Sequence, residues 1–509
     1  MKNVYVSLLI GFLWVIPQVQ ISAQTAADYD SLDIYIKNAA DMFGMPGIAI
    51  GIVKDDKIVF NHAYGFSNTE TKTEVTPETV FAIASCSKAF TTACLSILAD
   101  QGKINWDDRV IDHYPEFQMY DPYVTSEMRI EDLVCHRSGL QTFDGDLLWY
   151  GSDYSREEVV KRIRFRENSY SFRSHFGYQN VMFIAAGEVI KNVTGESWDT
   201  FLSKNIFNPL NMNSSTTSIT ELDFEGNVAW PHVDGEPIQF INYDNVGPAA
   251  SINTSVNDML KWIKLLLHKG MLEDSSTVFS SAQYYQMVSP HTLLNAGKAE
   301  TPGEAHFYGY GLGWFVYDYQ GKKVIQHGGG LPGFHSKTVF IPEENVGYVI
   351  LANQLSGMVE AMYRKILDMH LGAGKKDWAK LYFEGEQKQK DREKKYMIDK
   401  EEARVHNTEP SLELKAYTGI YEDKMYGKAE ITLTNGDLQV CLLPTKDLFT
   451  AQLNHWHYNT FSFSFNDPFL PEGFLTFFPD QDLKPSYFTI ELENQDFHFY
   501  KLKFEKVEQ

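Results

Sequence analysis

Apolar residues recur at three- and four-residue spacing over 29–43, and two short apolar runs, 46–53 and 57–60, then flank an Asp55-Asp56 turn. That pattern predicts a helix followed by a β-hairpin. Helical spacing returns over 85–101, rich in Ala, Leu and Thr and stopped by Gly102, and again over 180–193, stopped by Gly195. Segments 256–267 and 359–371 repeat it, and between them lie the strand-like runs 311–317, 323–326, 337–341 and 346–351. Strand material at both ends therefore brackets a helical insert. The expected class is α+β, with one sheet assembled from the two ends of the region.

Beyond about residue 374 the pattern changes. Residues 375–404 are charge-dense, free of proline and permissive for helix, which predicts a solvated connecting helix. After Pro410 the period becomes two: 429–434 and 437–442 alternate on either side of Asn435-Gly436, the strongest short-range signal for a hairpin. Further runs at 460–465, 475–478, 487–492 and 497–504 complete an all-β unit of roughly 100 residues. No repeat at solenoid periods and no low-complexity tract interrupts the chain.

Composition narrows the classes. The 509 residues are 43% hydrophobic and 22% charged, ample for more than one core, which excludes global disorder and a disulfide-stapled miniature fold. A net charge of −22 argues against nucleic acid and anionic lipid as partners. Four cysteines are few: Cys86 and Cys94 sit eight positions apart on one predicted helix, roughly 12 Å of rise, too far to bridge. Cys135 and Cys441 fall in different units, so four buried free thiols are expected.

The N-terminus reads as a secretory leader. Lys2 precedes an apolar run over 4–16, then Pro17, Gln18 and Gln20, then Ile21-Ser22-Ala23. A run of about 13 residues is short of the roughly 20 that span a bilayer, and Ala23 supplies the small residue before a cleavage point. Cleavage there removes Lys2 and takes the mature charge from −22 to −23. The expected divisions are a signal peptide 1–23, a catalytic domain 24–374, a charged linker 375–410 and a β-domain 411–509. A secreted or periplasmic location follows, with no integral membrane domain after cleavage; retention of the segment as an N-terminal anchor stays open.

Three motifs carry candidate chemistry. Ser85-Cys-Ser-Lys88 opens the Ala-rich helix, and positions i and i+3 share a face, so the hydroxyl and the amine can enter one cleft. A serine attacks poorly unless a neighbour takes its proton, and a lysine does so once burial lowers its pKa. Tyr178-Gln-Asn180 follows a polar stretch and precedes a helix; its phenol can shuttle a proton and its carboxamide can both donate and accept. Tyr243-Asp-Asn245 repeats that tripeptide, so the pattern is cheap on its own. Gln326-His327-Gly328-Gly329-Gly330 lies between two strands, where glycines let a ligand approach the backbone and an N–H can complete an oxyanion hole with that of Ser85. It is no phosphate loop, lacking the Gly-Lys-Ser/Thr ending. His136 to Gly139 reads as a turn at the cleft wall, and His455-Trp-His457 as a surface pair rather than a metal site. Phe461, Phe463, Phe465, Phe477 and Phe478 read as barrel core, with a small apolar ligand cavity as the lesser reading.

In that order along the chain, the three motifs resemble the serine β-lactamase and penicillin-binding-protein-like hydrolases, in particular their class C-like branch. The resemblance spans roughly 30–372 and includes Met45-Pro-Gly-Ile-Ala-Ile-Gly-Ile-Val, Phe81-Ala-Ile-Ala-Ser-Cys-Ser-Lys, Leu133-Val-Cys-His-Arg-Ser-Gly-Leu140 and Pro248-Ala-Ala-Ser-Ile-Asn-Thr-Ser. Tyr417-Thr-Gly-Ile-Tyr421 looks like the lipocalin-like barrel appended to some members. The resemblance implies an antiparallel sheet flanked by helices, Ser85 as acylated nucleophile, Lys88 as its base and Tyr178 as second base. It further implies Asn180, His327, Gly328 and Gly329 as substrate contacts, the Ser85 and Gly330 N–H groups as oxyanion hole, and no metal or cofactor. It also places Tyr178, not Tyr243, at the family's position.

One departure bears on substrate. Where β-lactamases and transpeptidases carry Lys-Thr-Gly, this chain has His327-Gly328-Gly329. A lysine is a permanent cation for a substrate carboxylate; a histidine is charged only in part near neutrality. The expectation is an exported serine hydrolase acting on a small-molecule or peptide substrate, of esterase or peptidase type. A D-amino-acid-directed peptidase, a true β-lactamase and a catalytically silent binding protein of the same fold stay open, as does the oligomeric state.

Overall fold

The computed structural model describes residues 28–298, 305–374 and 376–507. The leader and its cleavage point at Ala23 lie outside the described residues. Nine antiparallel strands form the main sheet, in the order Thr73–Glu74, Lys57–Asn68, Gly47–Lys54, Val346–Ala352, Phe334–Ile341, Lys322–Leu331, Phe315–Tyr319, Tyr308–Tyr310, Thr292–Leu294. The central pairing joins the chain's two ends: Ile48 opposes Ala352 and Lys54 opposes Val346. The α+β class and the two-ended sheet expected from the hydrophobic pattern are therefore present.

Strand Gly47–Lys54 is apolar at nearly every position because both of its faces are covered. Ile48, Ile50 and Ile52 face a layer built from the helices Tyr29–Phe43 and Gly357–Leu371. Ala49 and Val53 face the helical insert. At the centre of that insert lies the Ser87–Asp100 helix, buried at twelve consecutive positions from Ser87 to Leu98, with the Asn180–Thr194 helix packed against it.

The last hundred residues close an eight-stranded antiparallel barrel from Gly419–Asp423 to Phe504–Lys506, sealed where Tyr421 meets Lys506. Asn435 (φ +56°) and Gly436 (φ +96°) make the two-residue turn, both in the left-handed region that a hairpin of this length requires. Aromatic rings fill the interior, Tyr417 on Phe477 at 4.6 Å and Phe488 on Phe504 at 4.7 Å. Between sheet and barrel runs the 25-residue helix Trp378–Glu402, buried only at Trp378 and Ala379. Its far end meets the barrel through Lys400, 2.6 Å from Glu491, and Arg404 stacks on Trp456 just beyond it.

Barrel and insert share a single apolar core. Phe497 packs 4.2 Å from the ring of Tyr150, whose hydroxyl donates to Asp467 at 2.7 Å. Asp144 is the polar centre of this contact, 2.7 Å from Lys501, 3.2 Å from His498 and 3.0 Å from Arg166. Burial opposes its charge, yet the hydrogen bonds from His498 and Lys501 and the Arg166 guanidinium hold its carboxyl below the usual range. Of the four cysteines, all free, Cys86, Cys94 and Cys135 are buried as expected, whereas Cys441 is half-exposed because its strand turns that position outward.

A shared core couples the two units on unfolding. Calorimetry is expected to show one cooperative transition, and Asp144→Ala, which strands buried cations without a counter-charge, is expected to cost about 3–5 kcal/mol. Two separate transitions in the unmodified protein would contradict this reading.

Candidate active site

Ser85 does not lie inside the helix as the spacing alone suggests. It sits in a tight 3-10 turn, Ala84–Cys86, immediately before the Ser87–Asp100 helix, and Ala84 occupies the left-handed region at φ +47°. Pairing of Phe81–Ala82 with Asn253–Thr254 and the Cys86 N–H bond to Ile83 O hold the chain in that turn. Lys88 follows in the first helical turn with no solvent exposure.

The Lys88 amine is 3.0 Å from Ser85 Oγ, 2.6 Å from Asn180 Oδ1 and 3.2 Å from Ala249 O. The last two are acceptors only, so they take the two protons of a neutral amine and leave its lone pair for the Ser85 hydroxyl. Burial favours that neutral form: desolvation pushes Lys88 down to about 7, against the upward pull of Asp146. The rings of Tyr178 and Phe183 complete the dry surroundings, 4.7 and 5.3 Å from the nitrogen.

Asn180 is oriented by a residue the motifs do not reveal. Its Nδ2 donates to Asp146 Oδ2 at 2.7 Å, which leaves Oδ1 facing Lys88. Trp149 Nε1 donates to the other Asp146 oxygen at 2.9 Å. Burial raises the Asp146 carboxyl to about 8, opposed by those two hydrogen bonds and by Lys88. Tyr178 precedes this helix, with its ring against His136 at 4.2 Å and Phe143 at 5.5 Å. Burial pushes its phenol above the ordinary value, and only a hydrogen bond with Ser85 works the other way. The resting phenol is therefore neutral, suited to relaying a proton rather than standing as a phenolate. His136, expected as a simple turn, is buried at φ +61° and accepts the Gln179 N–H at 3.0 Å, which fixes the backbone between Tyr178 and Asn180.

Strand Lys322–Leu331 brings the third motif to Ser85. Gly329 passes so close that a Cβ there would lie 2.2 Å from Ile83 O and 2.9 Å from Ser85 N, so only glycine fits. Gly328 and Gly330 both line the cleft. His327 is buried, accepts from Tyr310 Oη at 2.9 Å through Nε2 and donates to Gly328 O at 2.6 Å through Nδ1. Burial, reinforced by Lys88, pushes it down to about 3, so it is neutral at physiological pH rather than partly charged. A second lysine, Lys337, stands opposite Gly328 on the next strand and ion-pairs with Glu360 at 3.0 Å.

The eight positions expected from the sequence thus converge: Ser85, Lys88, Tyr178 and Asn180 on one side, His327, Gly328, Gly329 and Gly330 on the other. Six of them, all but Lys88 and Gly329, border a cavity of about 310 Å³. The duplicate tripeptide goes elsewhere; Tyr243 packs on Trp149 and Tyr150, and Asn245 donates to Trp149 O at 3.0 Å. Each of the other histidine pair is engaged locally, His455 with Tyr458 O and His457 with the Val405 N–H. Sequence reasoning missed Asp146, Trp149 and Tyr310, and it missed the barrel's share of the wall, Phe469, Asp496 and Phe497. Asp146 and Trp149 had a faint signal, a buried-type Asp-Leu-Leu-Trp run between the first two motifs; nothing local marked the others.

A two-ended antiparallel sheet, a helical insert and a buried Ser-Lys pair at the head of its central helix define a hydrolase of the penicillin-binding-protein-like fold. Residues 32–373 match the family model described as Beta-lactamase, and the chain belongs to that family. Residues 403–506 match a domain of unknown function, DUF3471. Among relatives, the unguisins hydrolase ungD' of Aspergillus campestris is 28% identical over 439 residues, 79% of this chain and 77% of its own. Protein flp of Staphylococcus aureus (strain COL) is 27% identical over 63% of this chain and 62% of its own. The octameric penicillin-binding protein homologue from Pyrococcus abyssi superposes with TM-score 0.59 at 21% identity, covering 94% of this chain and all of the other. D-amino acid amidase from Ochrobactrum anthropi SV3 gives 0.55 at 19% identity over 67% of this chain and 98% of its own.

Two outcomes follow from the Lys88 network. Only the deprotonated amine can take the Ser85 proton, so the rate of Ser85 acylation is expected to rise with pH and level off above about 7, not near the ordinary 10.5. Stopped-flow acylation by an activated ester across pH 5–10 measures this. Asp146→Ala, which lets the Asn180 amide turn, is expected to slow acylation by about 10²-fold. Asp146→Asn keeps one acceptor for Asn180 and is expected to recover part of that loss; equal rates for the two variants would remove Asp146 from a positioning role.

Proposed function

We propose that the protein is an exported serine hydrolase that acts through an acyl-enzyme on ester or amide substrates. The observation that carries this is the Lys88 amine 3.0 Å from Ser85 Oγ, with its other contacts made only to acceptors. In this reading Lys88 removes the hydroxyl proton as Ser85 Oγ attacks the carbonyl carbon. The oxyanion is held by the N–H groups of Ser85 and Gly330. Tyr178 returns a proton to the departing amine or alcohol, and then helps a water release the acid and regenerate the Ser85 hydroxyl.

The amide side of this reading is supported by the names of two similar proteins, a D-amino acid amidase and a hydrolase of unguisins. Neutral His327 at the place of the Lys-Thr-Gly lysine weighs against efficient β-lactam hydrolysis and against peptides ending in a carboxylate. Export rests on the leader, with Gln24 as first mature residue.

A fluorophosphonate probe is expected to label the secreted protein on the Ser85 peptide, with mass spectrometry placing its N-terminus at Gln24. Ser85→Ala, folded by circular dichroism, is expected to lose all labelling; survival of the label would displace Ser85 as nucleophile. Among p-nitrophenyl butyrate, a D-Ala-D-Ala peptide and nitrocefin, the first is expected to turn over fastest. A folded protein that no probe acylates would favour the silent binding protein instead.

A further inference from the structure

The cavity beside Ser85 is walled by aromatic rings from both units, Phe143, Trp149 and Phe315 from the sheet-and-helix unit and Phe469 and Phe497 from the barrel. Its cations are all cancelled. Lys88 is committed to Ser85, Asn180 and Ala249, Lys337 is matched by Glu360, and His327 is neutral with both nitrogens hydrogen-bonded. One carboxylate is not. Asp146, raised to about 8 by burial, is held by Asn180 and Trp149, whereas Asp496 enters from the barrel loop that also supplies Phe497.

Among the described residues no hydrogen-bond donor or close ion-pair partner meets the Asp496 carboxylate, and His498, two positions on and itself held by Asp144, acts on it electrostatically. Only its backbone is engaged, through the N–H bond to Asn494 Oδ1. Yet it lies close enough to act electrostatically on Asp146 and Tyr178. The loop is no loose tail, because its neighbour His498 is held by Asp144 and Phe497 by Tyr150. A solvent-exposed carboxylate at the rim of an aromatic pocket, with no protein hydrogen-bond donor, is complementary to an ammonium group, which gains both an ion pair and the faces of the rings.

We propose that the cleft selects substrates that carry a free ammonium group near the scissile bond, with Asp496 as its ion-pair partner. The inference rests on the serine acyl-transfer reading above and adds the substrate's charge to it. It makes the barrel a specificity element rather than an appendage: an amino-acid amide or ester, or a peptide with a free N-terminus, fits, while the same compound acylated on nitrogen loses the ion pair. A substrate bearing a carboxylate at that place is repelled.

The test is protection of Ser85. The rate of fluorophosphonate labelling is measured at pH 7 with increasing leucinamide, N-acetylleucinamide or N-succinylleucinamide, each in D and L form. Leucinamide in one of the two hands is expected to slow labelling at a concentration at least about tenfold lower than its acetylated form, and the succinylated form to be weakest. Asp496→Asn is expected to remove the advantage of the amine, and Asp496→Lys to favour the succinylated compound. Equal protection by all three, or an amine advantage that survives Asp496→Asn, overturns the proposal. Absence of labelling of Ser85 without any competitor fails the serine-hydrolase reading instead, so the two failures are told apart.

Discussion

The cleft depends on keeping one amine out of water. Lys88 has no exposed surface, and moving its pKa from 10.5 to about 7 corresponds to a few kcal/mol against the charged form. The sign matters for the whole fold. The unfolded chain binds the extra proton up to the ordinary value and the folded chain does not, so the penalty is full below about pH 7 and has vanished by about 10.5. Stability from this group rises with pH across that window. What the fold obtains for this strain is an uncharged amine beside Ser85, and two helices are given over to it: Ser87–Asp100, buried at twelve successive positions, and Asn180–Thr194, whose first residue supplies the carboxamide.

One short segment ties that amine to the barrel. Between Phe143 and Tyr154 the chain sends Asp146 inward to Asn180 and sends Tyr150 and Tyr154 outward to Asp467 and to the backbone of Tyr426. Asp144, two residues from Asp146, anchors Lys501 and His498. The orientation of the Asn180 amide and the seating of the barrel are therefore set by the same few residues. A chain of direct contacts links the barrel to the Lys88 amine, and the barrel's own loop returns to form part of the cavity wall.

Elements with a strong local signature were legible in the sequence. The two-ended sheet came from apolar runs at both ends of the region, and the barrel hairpin from Asn435-Gly436, which needs two left-handed residues in succession. The three motifs were legible because their spacing follows backbone geometry: i and i+3 on a helix, a residue before a helix cap, glycines where strands meet a turn. The exact seat of Ser85 was not, since the left-handed Ala84 is imposed by long-range pairing of Phe81–Ala82 with Asn253–Thr254. Tyr310 and Asp496 were invisible, and Asp146 nearly so, for a related reason. Each reaches the cleft only through contacts made when distant segments fold together, and no local period records such a contact. His136 shows the intermediate case, a turn correctly expected but with a ring whose use appears only once Tyr178 and Gln179 fold against it.

The glycine strand shows how a cleft changes sign without changing shape. Where β-lactamases and transpeptidases present a lysine, this chain places His327, and burial beside Lys88 removes its charge. The positive charge has not left the neighbourhood: Lys337 stands directly opposite Gly328, where a Cβ on that glycine would lie 3.6 Å from its Nζ. Glu360 neutralises it from behind the sheet. Restoring a lysine at 327 would not by itself restore a carboxylate site, because the new ammonium would share the cavity with Asp496 and compete with the Tyr310 hydroxyl for the same space. The charge inside this cleft is set by three layers, the helix pair, the sheet and the barrel loop, and reversing it requires changing more than one of them.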